Sequence, residues 1–352
     1  MRSPAVRDAA ERFALDDRQG IISAAGVLRV DRTTAYGVQM TAQRIALVAT
    51  MRNEGPFILE WVAYHRHIGF TEMLVCTNDC VDGSPDLLDL LERRGLVRHL
   101  RCSPAANDKA QLHAYAQATA SLEPSWPDVL MVLDADEFLN IHVGDGKVPA
   151  LLASTPEATA WLVNWRTFGA SGHEHWAPDL VLKRFTRAAP LHHGVNWSFK
   201  TLFTHPEAYH CPLLPHGPGF ARAECVGGLR PVDGGGHRLP SRYARSEQFL
   251  QTEPGQVTWS LAQVNHYNTR SWQDYLVKHD RGGGLGPERW ARDENWETFN
   301  RNEEQDLSIQ RHLPAVESAI TALLADDEIR AAHLRCCASY GDHVLKLDRV
   351  AA

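Results

Sequence analysis

At 352 residues, with 44% hydrophobic and 22% charged side chains, the chain is long enough for a large buried core and too apolar for wholesale disorder. Its 43 acidic against 36 basic residues, a formal charge of −7, disfavour broad attraction to nucleic-acid phosphate or to an anionic membrane. The N-terminal residues are too charged for a signal peptide, no window approaches the ~20 apolar residues of a membrane span, and the 7 cysteines lack zinc-ribbon spacing. A cytoplasmic protein with free thiols, no nucleic-acid partner and no transmembrane segment is therefore expected, with peripheral contact at the inner face of a membrane left open.

Residues 1–40 read as an N-terminal extension, because their charged start and short apolar stretch do not join a strand-helix rhythm. From Arg44 the rhythm begins: Ile45 to Thr50 is a compact apolar strand, Met51 to Gly55 a polar loop, and Pro56 suits a first helical turn. Apolar residues at three- and four-residue spacing through Ile58, Leu59, Trp61, Val62, Tyr64 and His65 predict a helix that stops near Gly69. A strand at Glu72 to Thr77, a loop from Asn78 to Pro85, and a helix with Leu87, Leu88, Leu90 and Leu91 follow. Val97 to Cys102 predicts a third strand and residues 107–122 a helix. Such alternation predicts an α/β fold, a mainly parallel sheet flanked by helices with ligands beyond the carboxyl ends of the strands.

The next strand, Val129 to Leu133, delivers Asp134 and Asp136 at its end, two positions apart and so on one face of an extended chain. One divalent cation could bridge such a pair, and Mg²⁺ is typically held by one or two carboxylates plus substrate phosphates. Two solvated acids at a strand end are the ordinary alternative. Beyond residue 150 the pattern turns irregular and rich in Trp, His, Gly and Pro, which predicts loops, with glycine clusters at 234–236 and 282–284. From about residue 305, Leu307, Leu313, Val316, Ile320, Leu323 and Leu324 predict a closing helical segment.

Five blocks in this order carry a resemblance: Arg52 to His65, Asn78 to Ser84, Leu133 to Leu139, Asn164 to Gly172, and Asn265-His266-Tyr267 with Ser271-Trp272, Lys278 and Arg281-Gly282. The chain resembles bacterial glycosyltransferases related to families 2 and 92, which have the nucleotide-sugar GT-A fold. The resemblance implies a GT-A-like catalytic domain over residues 41–290, with a helical segment at 291–352. It also implies transfer of a sugar from a nucleoside diphosphate sugar, a UDP-sugar being the favoured donor, to a glycan or other hydroxyl acceptor in glycan or polysaccharide synthesis. A departure is Asn78, which stands where many family 2 enzymes carry an acid.

On that reading Asp134 and Asp136 hold Mn²⁺ or Mg²⁺ against the diphosphate, and the cation neutralises charge on the leaving nucleotide. His266 is a further metal or phosphate contact, or else a histidine bonded within a buried polar loop. Lys278 and Arg281 meet phosphate. Asn53, Glu54, Asn78 and Asp82 are donor contacts, unless Asx-turns occupy them; Lys109 and Gln111 are further nucleotide candidates. Glu174, with His173 beside it, is the candidate base for the acceptor hydroxyl. Trp161, Trp165, Trp176 and Trp197 are spread through the region expected to meet the acceptor, one or two of them for stacking on sugar. Two rivals remain: a phosphohydrolase with an aspartyl nucleophile, and a non-catalytic glycan-binding protein.

Overall fold

The computed structural model describes residues 43–105, 108–240, 243, 251–282 and 292–351. The expected extension at 1–40 lies outside them, as do Gly283 and Gly284 of the second glycine cluster. Residues Gln43–Ala352 form one compact unit.

The chain starts as the sequence pattern predicts. Strand β1 (Ile45–Met51) is followed by a one-turn 3₁₀ helix at Gly55–Phe57 and helix α1 (Ile58–His67), then β2 (Glu72–Thr77), α2 (Ser84–Arg93), β3 (Arg98–Arg101), α3 (Ala110–Leu122) and β4 (Val129–Val132). β1 pairs in parallel with β2 on one side and with β4 on the other, and β2 pairs in parallel with β3. The order β3-β2-β1-β4 therefore reverses direction between β1 and β4. At such a reversal the loops beyond the strand ends diverge and leave a crevice, the usual ligand site of an open α/β sheet.

The second half departs from the expected run of loops. β5 (Glu137–Ile141), α4 (Val148–Ser154), β6 (Ala160–Thr167), α5 (Val181–Arg184), β7 (Arg187–Ala188), β8 (Phe199–Thr204), β9 (Pro231–Asp233) and β10 (Ala262–His266) follow. Five of these extend the same sheet. β8 lies antiparallel between β4 and β6, β10 runs parallel to β6 and antiparallel to β5, and β9 runs parallel to β6. A short strand, β11 (Glu304–Gln305), pairs with β7. The described strands thus form a mainly parallel sheet flanked by helices, as expected. What the periodicity concealed was strands buried on both faces and joined by long irregular connections.

Helices α6 (Trp272–Arg281), α7 (Arg292–Phe299), α8 (Leu313–Leu324) and α9 (Asp327–Ala351) complete the described chain. α8 packs on α1, whereas α9 packs across the 3₁₀ turn, α2 and α6. The C-terminal helices are thus part of the compact unit. A Cβ on Gly55 would stand 2.5 Å from Cys336 Cβ and 2.8 Å from Asp82 Oδ2, so only glycine lets α9 approach the loop after β1 this closely. Ser271 and Asp274 form a reciprocal capping box at the start of α6, and Tyr340 of α9 donates to Asp274 Oδ1 at 2.9 Å. The helix that carries Lys278 and Arg281 is thereby anchored at its first turn. Among the described residues no helix is long and apolar enough to cross a membrane.

Candidate active site

β4 ends at the switch point, and the chain then bends so that β5 leaves to pair with β10. The bend is fixed from below by α1. Trp61, fully buried, donates its indole N–H to the carbonyls of Asp134 (3.2 Å) and Glu137 (3.1 Å), and Tyr64 donates to Leu139 O at 2.8 Å. His65, whose Nδ1 lies 2.9 Å from Trp61 O, stacks on Phe138 with centroids 5.4 Å apart. These residues of the first family-like block therefore scaffold the acidic turn rather than meet ligand themselves.

The two aspartates face different cations. Asp136 is buried and accepts from Lys278 Nζ at 2.5 Å, while His266 Nε2 stands 3.7 Å from the same oxygen, Oδ2. Burial opposes ionisation of Asp136, but the charge of Lys278, with those of His266 and Arg270, holds its carboxyl well below the usual carboxylate range. Asp134 keeps a third of its side chain exposed and accepts from Lys200 Nζ at 2.7 Å and Gln111 Nε2 at 3.1 Å. Lys200, buried on β8, also meets Glu137 Oε2 at 2.9 Å and donates to Pro215 O at 2.6 Å. Against the effect of burial, the carboxylates of Asp134 and Glu137 raise its ammonium above the ordinary lysine range.

A second acid-base group closes the crevice on the β1 side. Glu54, buried in the loop after β1, receives Arg281 Nη2 at 2.5 Å and Arg270 Nη1 at 3.1 Å. Its carboxyl is lowered, because Arg281 and Arg270 outweigh the cost of burial. Arg270 adopts a left-handed backbone (φ 51°), lies 3.6 Å over the Phe57 ring and donates to Ala135 O at 3.3 Å. That conformation is unusual for a non-glycine residue, and here three contacts over-determine it. Lys278, Arg281, Arg270 and Lys200 thus gather around Glu54, Asp134, Asp136 and Glu137, a dense concentration of charge at a strand-end crevice.

Several expected donor contacts are occupied by the loops themselves. Asp82 is buried, accepts from Gly55 N (2.8 Å) and Ser84 N (2.9 Å), and so secures the start of α2. Asn53, with φ 53°, accepts from Val81 N at 2.8 Å, and Asn78 donates to Asp79 Oδ2 at 2.9 Å. Lys109 stands at the N-terminal boundary of α3, two residues before Gln111, whose side chain reaches Asp134. The Asx-turn alternative thus applies to Asp82, whose Oδ1 accepts from Ser84 N two residues on, whereas Asn53 bridges to the second loop.

Glu174 and His173 are not brought to the aspartates. Both are exposed; Glu174 O accepts from Gln273 N at 3.1 Å at the start of α6, and His173 Nε2 pairs with Arg184 O at 3.1 Å. Lys278 lies five residues further along α6, and the helix rises about 1.5 Å per residue. The neighbouring Trp176 packs on Tyr340, which turns this segment toward α9. Of the other indoles, Trp161 is buried with its N–H on Thr155 Oγ1 at 2.7 Å, whereas Trp165 lies 4.2 Å from the His266 ring and borders the site. The sequence reading passed over Lys200, Arg270 and Glu137. A lysine between Phe199 and Leu202 in an otherwise apolar strand was the available signal, because buried lysines need partners.

The donor atoms suit a divalent cation: carboxylate oxygens of Asp134 and Asp136 and the imidazole of His266, whose Nδ1 is buried without a partner. Among the described residues no three His, Cys, Asp or Glu groups form a cage for an ion. Two carboxylates completed by phosphate oxygens is nevertheless the usual way to hold Mg²⁺, so the residues fit as part of a site that a diphosphate would complete.

No protein-family profile matches the chain. It is 26% identical over 268 residues to a glycosyltransferase family 92 protein of Oryza sativa subsp. japonica, covering 71% of this chain and 42% of that protein. The chain thus spans less than half the length of that relative. Among solved structures it overlays S. aureus TarS (11% identity, 46% of this chain and 28% of that one, TM-score 0.30). It also overlays glucosyl-3-phosphoglycerate synthase from Mycobacterium tuberculosis in complex with Mn²⁺, UDP and glucosyl-3-phosphoglycerate (13% identity, 38% and 51%, TM-score 0.24). The resemblance read from the five blocks is accordingly matched by a sequence likeness, over 71% of this chain, to a family 92 glycosyltransferase.

Proposed function

We propose that the chain is a glycosyltransferase that takes a sugar from a nucleoside diphosphate sugar, a UDP-sugar first among them, and delivers it to a hydroxyl acceptor with a divalent cation at the diphosphate. The observation that carries this reading is the gathering, at the β1–β4 switch point, of Asp136 with Lys278 and His266, of Asp134 with Lys200, and of Glu54 with Arg281 and Arg270. A diphosphate and its cation need both kinds of partner within one crevice. The likeness to a family 92 protein supports the same class of reaction.

When bound by Asp134, Asp136 and His266, Mn²⁺ or Mg²⁺ would supply Lewis-acid stabilisation of the departing diphosphate. The protein's own cations serve the same end. On this reading Lys278 and Arg281, on the last turn of α6, bind phosphate oxygens, and Glu54, itself paired with Arg270, holds Arg281 in position. Trp165, beside His266, borders the space where a sugar would lie.

Incubation of the protein with a panel of UDP-sugars and Mn²⁺, alongside a phosphomonoester, tests the reading. Release of UDP that requires the cation is expected. Hydrolysis of the phosphomonoester without turnover of any nucleotide sugar would replace it with the phosphohydrolase, and binding of glycans without turnover would replace it with a lectin-like role.

A further inference from the structure

We propose that Lys278 is a resident counter-cation of Asp136 that must transfer to the donor diphosphate before a divalent cation can occupy that carboxylate, so that cation and donor bind with positive coupling. The inference rests on the proposed donor site and adds an order to its assembly.

Asp136 Oδ2 is the atom that both Lys278 Nζ (2.5 Å) and His266 Nε2 (3.7 Å) face. An ion taken up at Oδ2 would meet Lys278 Nζ on the same oxygen. An ammonium and a divalent ion on one buried oxygen repel each other, and the repulsion grows as the surroundings exclude water. The side chain of Asp136 is 10% exposed, whereas that of Lys278 is 30% exposed and the freer of the two to move. Lys278 is held in its present place by Asn268, whose carbonyl oxygen accepts at 3.1 Å and whose side-chain oxygen also accepts. Its four-carbon stem rises from the last turn of α6, one turn before Arg281, so rotation about the stem suffices to reach a phosphate without movement of the helix. Lys200 cannot take this part, because it is buried between Asp134 and Glu137.

By linkage, whatever draws Lys278 off Asp136 strengthens cation binding, and the cation in turn strengthens donor binding by the same factor. The expectation is that Mn²⁺ alone, followed by the paramagnetic resonance of the free ion, binds the native protein weakly, and that Lys278→Met binds it roughly 5- to 150-fold more tightly, the usual span of such coupling. UDP without metal should bind Lys278→Met more weakly than native protein. Asp136→Asn introduced into Lys278→Met should abolish the gain in Mn²⁺ affinity. Unchanged Mn²⁺ affinity in a folded Lys278→Met protein, with Mn²⁺ and UDP still binding the native protein together, would overturn the displacement and leave the donor site standing. Absence of Mn²⁺ binding to the native protein even with UDP present would overturn both.

Discussion

Residues 45–133 and residues 160–266 build one sheet by different rules. The first stretch alternates strand and helix, each strand parallel to its neighbours, and every element is set by a local run of apolar residues between turn signals. In the second stretch β8 inserts antiparallel between β4 and β6, and long connections separate strands that end up adjacent. The difference shows in the chemistry: the first stretch leads into the aspartates, the second brings Lys200 and His266 to them, and α6, which follows it, brings Lys278.

Lys200 lies where the two stretches meet, and its removal is the strongest way to break the arrangement. Lys200→Met should destabilise the protein by about 3–5 kcal/mol in urea unfolding, because it leaves Glu137 and Asp134 uncompensated at the seam. A loss below about 1 kcal/mol would mean that the seam is held by strand pairing alone. Asp136→Ala should leave folding intact and lower UDP-sugar turnover by about 10²–10³, the scale of losing one preorganised electrostatic contact. Turnover near native would take Asp136 out of the reaction.

Acid sharpens the comparison, because both stretches bury imidazoles in neutral form. Burial pushes His65 down to about 3, and His216 and His266 down to about 4. The unfolded chain, near 6.5, then binds more protons than the folded one throughout the interval. Stability is complete above pH 6.5 and is lost as pH falls towards 3–4, at up to about 1.4 kcal/mol per pH unit for each imidazole. His65→Leu should flatten the profile of unfolding free energy between pH 6.5 and 4, and an unchanged slope would show that other groups dominate. The smallest effect is expected at Glu174: Glu174→Gln should keep turnover within about threefold, since the residue is exposed and its backbone carbonyl meets α6 at Gln273, five residues before Lys278. A thousandfold loss would restore it as the acceptor's base.

The five elements from β1 to β3, the pair Asp134 and Asp136, and the closing helices were legible because each rests on local periodicity or on residues close in sequence. Lys278, Arg281 and His266 were legible only through the family-like blocks, and the structure then places Lys278 and His266 at Asp136 and Arg281 at Glu54. Asp82 and Asn53, expected as donor contacts, have side-chain oxygens that accept from Gly55 N and Val81 N in the facing loop, partners too distant in sequence for local spacing to show. Trp61 and Tyr64 gave a helix by their spacing, but nothing in that spacing said that they would tie the carbonyls of the acidic turn and of β5.

Sequence by itself determined the strand-helix alternation and the delivery of two carboxylates to a strand end, because both follow from which way successive side chains point along a single element. Tertiary structure alone decided which cations those carboxylates meet. Lys200 is 66 residues from Asp134 and Lys278 is 142 from Asp136, and only the insertion of β8 beside β4 and the anchoring of α6 by α9 bring charges that distant within reach of a hydrogen bond.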